Sequence, residues 1–204
     1  MQKLIKITLI LLFSTVINSS AMDKDEVFNK LKKDYGSLKS LHLIFSINDN
    51  TNEFGEIYAE RGGKMQLSLK DNIIVSDGKT IWNINPGNTV AISNYEESKD
   101  LTLESIFFDL MNDLVPITYS KVNSTNSKDK YSLKLRPKDN SDYKNRLKFL
   151  TIYFDSNSMI SRILIDSPSG VSEYSVSQLE KNPKINENRF QYKPTDNIEV
   201  IDFR

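Results

Sequence analysis

At 204 residues the chain has the length of one domain and can bury a sizeable core. Its 27 basic and 27 acidic residues cancel, which leaves no basic field for nucleic acid and no acidic tail. Cysteine is absent, and this excludes disulfides, thiol nucleophiles, cysteine metal sites and a lipid-modified cysteine of the chain's own.

The first elements read as an address label. Lys3 and Lys6 form a positive start, residues 7–17 are apolar, and Ser19-Ser20-Ala21 supplies small residues for cleavage after Ala21. The apolar run is short for a membrane span. Residues 1–21 are therefore expected to be a signal peptide, and residues 22–204 one exported domain in the periplasm. Apolar content is only 38%, yet it falls in periodic blocks, the mark of a folded domain with polar loops.

Residues 23–38 carry the helical period, with Val27, Leu31, Tyr35 and Leu38 on one face and Asp23 placed to cap the start. From Leu41 the period becomes two. Leu41, Leu43, Phe45 and Ile47 alternate with His42, Ile44, Ser46 and Asn48, which predicts a half-buried strand. Short strands are predicted next at 55–60, 64–70, 73–76, 80–85 and 89–93. Asp77-Gly78 marks a tight turn that needs positive φ, and the strand after it carries Trp82, the one tryptophan.

A helix is predicted over 101–114, with Leu103, Ile106, Phe107, Leu110 and Leu114 at helical spacing and Pro116 as its stop. Strands resume at 131–136, 147–155, 160–166 and 172–179, with a last piece at 189–192; 123–130 and 139–145 are polar loops. About eleven strands joined by short turns imply antiparallel pairing, since parallel strands need crossover helices. The few helices cannot cover both faces of such a sheet. A curved sheet with helices across its mouth accommodates both and encloses an apolar space.

Few residues bear on chemistry. His42 is the sole histidine and sits on the minor face of its strand, where a hydrogen-bonded or surface histidine is the plain reading. No G-x-S-x-G elbow, dinucleotide fingerprint or phosphate loop is present, and the acids are scattered instead of clustered as metal ligands. No enzymatic activity, cofactor or metal is expected. Arg61 falls in register with the apolar Ile57 and Ala59, just before Gly62-Gly63. It must either reach the rim and water or give its five donors to several acceptors.

Taken in order, these segments resemble the periplasmic lipoprotein carrier family of Gram-negative bacteria, the LolA type. IIVSDGKTIWNINPGNTVAI resembles the family's "VSDG" turn and tryptophan strand, and FGEIYAERGGKMQLSL its G-x-ϕ-x-ϕ-x-R-P-x-x-ϕ strand pair, where ϕ is apolar. The helix followed by SLHLIFS, the Asp166-x-x-x-Gly170 stretch and FQYKP match in the same order. The resemblance spans nearly the whole mature chain. It departs at Gly62, where the family has proline.

The resemblance implies an unclosed antiparallel β-barrel, mainly β, with helices as a lid over a hydrophobic cavity. It implies a carrier that takes lipoproteins from an inner-membrane ATP-binding-cassette releasing complex, shields their acyl chains and passes them to an outer-membrane acceptor. By motif position Arg61 matches the arginine that bonds the lid helices in the closed state, and Met65 and Leu67 match cavity positions. Leu31, Leu41, Leu43, Phe45, Ile106, Phe107 and Leu110 are the further cavity candidates on the apolar faces. A monomer is expected. The alternatives on the same fold are a lipid- or lipoprotein-binding sensor and a glycolipid carrier.

Overall fold

The structure is a computed structural model that describes residues 23–48, 53–85, 87, 89–98, 103–123, 128–194 and 198–204. The expected signal peptide, residues 1–21, lies outside the described residues, as do Leu101 and part of the 123–130 loop.

Helix α1 (Lys24–Gly36) opens the fold. Val27, Leu31 and Tyr35 are buried, as the spacing predicts; Phe28 joins that face, and Leu38, also buried, lies just past the end of the helix. Asp23 occupies the N-cap position, but its side chain makes no capping hydrogen bond; only its carbonyl accepts from Val27 N at 3.0 Å. Six strands then follow: β1 (Ser40–Ile47), β2 (Phe54–Glu60), β3 (Lys64–Ser68), β4 (Ile73–Asp77), β5 (Thr80–Asn85) and β6 (Thr89–Asn94).

The predicted helix at 101–114 is shorter than its apolar spacing suggests. Helix α2 (Tyr95–Ser98) and helix α3 (Leu103–Phe108) are separate, and a 3-10 turn, Leu110–Asp113, follows α3. Leu114 already opens strand β7 (Leu114–Lys121), which the sequence does not predict because Pro116 reads as a stop. The sheet accepts that proline at a register shift between Pro116 and Thr118, on an edge strand. Strands β8 (Tyr131–Pro137), β9 (Phe149–Phe154), β10 (Ile160–Ser167) and β11 (Gly170–Lys181) complete the antiparallel run. The predicted strand at 189–192 is instead a 3-10 turn, Glu187–Phe190, and a short strand β12 (Glu199–Asp202) lies beyond it.

All twelve strands form one sheet, in the order β12-β6-β5-β4-β3-β2-β1-β11-β10-β9-β8-β7. Only β12 pairs in parallel, with β6. The sheet does not close, and β12 and β7 are its edges. The fold is mainly β, with helices on one face.

Register separates the two faces. Leu43, Ile57, Leu67 and Ile74 are directly opposite one another across β1–β4 and form an inner row. His42, Tyr58, Gln66, Val75, Trp82 and Ile92 form the outer row across β1–β6. The inner row faces the main core, where α1 and α3 contribute Leu31, Tyr35, Ile106 and Phe107. Trp82, half-buried between Val75 and Ile92, braces the outer face of the central hairpin. That hairpin turns on Gly78–Lys79, one residue later than Asp77-Gly78. Gly78 alone has positive φ, +90°, as the first central residue of a type II′ turn requires, and Asp77 Oδ1 accepts from Lys79 N and Thr80 N, both at 2.8 Å.

Candidate functional site

Between the inner face and α3 lies an apolar cavity of about 190 Å³. Phe45 and Ile47 from β1, Ile57 from β2 and Met65 and Leu67 from β3 supply its floor. Leu69 and Tyr174 extend the wall, Tyr174 meeting Phe45 edge-on at 5.7 Å between centroids. The roof is Leu103 and Glu104, the first residues of α3. Alternation in β1–β3 places the apolar side chains inward, so the local sequence pattern builds the floor directly.

Of the cavity candidates, Phe45, Met65 and Leu67 line this space. Leu31, Leu41, Leu43, Ile106, Phe107 and Leu110 are buried in the packed core beside it. Ile57, Leu69, Tyr174 and Glu104 line it as well and do not stand out in the sequence as cavity residues. Ile57 and Leu69 carry a usable signal, the alternation that Ile57 shares with Ala59 and Arg61 and Leu69 with Met65 and Leu67; Tyr174 comes from β11, distant in sequence, and its position depends on the β1–β11 pairing.

Arg61 stands at the turn between β2 and β3. Its Nε donates to Leu38 O at 3.2 Å and its Nη2 to Gly36 O at 2.7 Å, at the C-terminal end of α1. Its Nη1 donates to Phe108 O at 3.1 Å and to Asp109 Oδ1 at 3.2 Å, at the end of α3, and its guanidinium lies 5.3 Å from the centre of the Phe108 ring. Carbonyls at helix C-termini lack intrahelical partners and carry the negative end of the helix dipole, so a fixed fork of cationic donors suits them. One side chain thus joins the ends of two helices to the sheet.

The turn itself is built on glycine. Gly62 and Gly63 both have positive φ, +95° and +84°. Proline, held near −65°, cannot take the conformation of Gly62. A Cβ on Gly63 would fall inside the ring of Tyr95, so the absence of a side chain there lets α2 lie against the β2–β3 turn. Burial, followed by the negative charges of Glu104 and Asp109, pushes the Tyr95 hydroxyl up to about 12.

A second tie secures α1. Tyr35 is fully buried, its hydroxyl donates to Ser158 O at 2.9 Å and accepts from Ile160 N at 3.1 Å, and burial raises its pKa. His42 faces away from the cavity. It stacks on Tyr58 at 4.1 Å, and its Nε2 is 2.8 Å from Glu56 Oε1. Among the described residues no group of three or more His, Cys, Asp or Glu is arranged to hold a metal ion. No helix among them is long and apolar enough to cross a membrane.

The family profile described as "Outer membrane lipoprotein carrier protein LolA" matches residues 46–193, well over half the chain. The chain belongs to the LolA family. The match begins within β1 and runs past the buried Phe190, so it takes in Arg61 and all of the cavity floor but Phe45. LolA family proteins are carriers that bind lipoproteins, not enzymes, and the family is one of the cell envelope. An uncharacterized conserved protein from Thermus thermophilus is similar in structure, with a TM-score of 0.53 at 14% identity, over 87% of this chain and 97% of that one. At that identity the likeness shows the shared fold. Also similar are LprF from Mycobacterium bovis (TM-score 0.46, 12% identity, 80% of this chain and 94% of that one) and a putative outer membrane lipoprotein-sorting protein domain from Vibrio parahaemolyticus (0.44, 9%, 80% and 94%). No curated protein matches the sequence.

Proposed function

We propose that the mature protein, cleaved after Ala21, is a periplasmic carrier that shields the acyl chains of lipoproteins between the inner and outer membranes. It would receive them from an ATP-binding-cassette releasing complex and deliver them to an acceptor at the outer membrane. The observation that carries this reading is an apolar cavity roofed by α3, with both lid helices tied to the sheet by one arginine.

Magnitudes define the task. Burying an acyl chain of about fifteen methylenes is worth roughly 12 kcal/mol at ~0.8 kcal/mol per CH₂. Such a chain does not leave a membrane for water unaided. An apolar cavity of about 150 Å³ holds a single benzene, so the 190 Å³ present here is far too small for a whole chain. The closed form is therefore the empty one, and loading requires the roof to move. The bonds of Arg61 favour the closed form, which offsets part of the acyl-chain burial and allows release.

The test is extraction from membranes. Inner-membrane vesicles carrying a radiolabelled lipoprotein and the releasing complex are incubated with ATP and the mature protein. The label should become soluble in a one-to-one complex. Leu67→Arg, which places a charge in the floor, should reduce the soluble label about tenfold or more. Label that stays in the vesicles with the wild-type protein, or an unaffected Leu67→Arg, would overturn the reading.

A further inference from the structure

Glu104 is out of place in the cavity wall. It is 4% exposed, and the side chains that line the space with it are apolar apart from the phenol of Tyr174. An ordinary glutamate in the first turn of a helix faces water, where it complements the helix dipole at little cost. Packing alone calls for leucine or methionine at a buried roof position. A carboxylate there carries a desolvation cost, and a buried charge is kept where it does something specific. Each carboxylate oxygen has two acceptor lone pairs, so contacts on the protein side leave acceptor capacity for a donor arriving from the cavity.

We propose that Glu104 makes this cavity selective for amphiphiles whose polar head carries a protonated amine next to the acyl chain. The inference rests on the carrier reading above and names the cargo chemistry of that same site. An ammonium head docked under the roof gains a charge-assisted hydrogen bond to the carboxylate, among the stronger kinds in proteins. A fatty-acid head meets like charge at the same point and is disfavoured, and a neutral head falls between the two. Two sources share the chemistry: the free α-amine of a diacylated N-terminal cysteine, and the head of an aminophospholipid.

The experiment is displacement of the neutral probe N-phenylnaphthylamine from the mature protein at pH 7.5. Octadecylamine should displace it at about one-tenth the concentration octadecanoic acid needs, a difference of ~1.4 kcal/mol. Octadecanol should lie between them. Glu104→Gln should bring amine and acid within about twofold, and both Glu104→Gln and Glu104→Leu should still bind octadecanol within about twofold of the wild type, which shows that both variants keep the cavity. In a second arm a diacylated lipopeptide and phosphatidylethanolamine are each compared with their N-acetylated forms. Whichever pair loses affinity on acetylation identifies the source. Equal affinities for amine, acid and alcohol, or a preference that survives Glu104→Gln, would overturn the inference alone. Failure of all three to displace the probe would overturn the carrier reading with it.

Discussion

Arg61 makes four hydrogen bonds to two helix ends from a side chain that is 40% exposed. Hydrogen bonds to charged groups contribute ~1.5–3 kcal/mol each, and at this exposure solvent screening keeps the set near the low end. Arg61→Leu removes that stabilisation from the empty state and adds apolar surface beside the lid. Both effects favour the loaded form. The variant should load normally and retain acyl cargo roughly tenfold longer or more, as a loss of ~1.5 kcal/mol implies, with transfer to acceptor vesicles falling in step. Normal transfer would reduce Arg61 to a structural rim residue. The neighbouring Gly62 lets the proposal be tested without touching the arginine. Its φ of +95° is closed to proline, so Gly62→Pro should destabilise the fold by about 1 kcal/mol or more and displace Arg61, giving the same slow release. Unchanged melting and release would mean that this turn accepts the family's proline.

At the level of elements, the tie at Tyr35 separates what α1 does from what α3 does. Tyr35→Phe keeps the ring, its contact with Phe107 at 5.5 Å and the Lys181 ammonium 4.0 Å above it, but removes the hydroxyl that serves Ser158 O and Ile160 N. Leaving buried backbone groups without that partner should cost about 1–3 kcal/mol, a drop in Tm of roughly 3–10 °C, with acyl-probe affinity little changed. A Tm within about 1 °C of wild type would show that α1 is held by packing alone. These elements also mark the limits of what the chain reveals by itself. Alternation in β1 through β3 and the helical stripe of α1 are local signals, and they translate directly into the cavity floor and the buried face of the helix. The break between α3 and the 3-10 turn has no such signal, because Leu110 and Leu114 keep helical spacing while the backbone at Asp109 leaves the helix at φ −129°. Strand β12 is fully exposed, so no apolar period announces it. Phe190 looks like a strand residue because it is buried, but it is buried by a 3-10 turn packed against β3 and β4. The role of Glu104 is hidden for a related reason: a glutamate in a helical stretch reads as solvent-facing until the roof it belongs to is placed over the floor.

Across the whole molecule, the two lid helices are held in different ways. The end of α1 is held from two sides, by Tyr35 to the start of β10 and by Arg61 to the β2–β3 turn. The six-residue helix α3 depends on Arg61 at its far end, while its first residues, Leu103 and Glu104, form the roof. The 3-10 turn behind it is anchored in turn to the residue after β8, through Lys138 N to Asp113 O at 2.8 Å and Lys138 Nζ to Asn112 O at 2.7 Å. A cavity of 190 Å³ cannot take an acyl chain without displacing some wall, and the sheet, hydrogen-bonded along eleven strand pairs, is the costliest part to move. The six-residue helix that forms the roof should move first, pivoting about Asp109, and the longer α1, held by Tyr35 as well as Arg61, should stay. Hydrogen exchange measures this directly, because the free energy of local opening differs between elements. Loading with a diacylated lipopeptide should speed exchange of the amides from Ser105 to Asp109 about tenfold, ~1.4 kcal/mol of lost protection, and leave those of Leu31 to Gly36 within about threefold. Arg61→Leu should reproduce the loosening of α3 without any ligand. Equal loosening of both helices would mean that the lid lifts as one body, and slower exchange in α3 on loading would mean that the roof closes onto the chain.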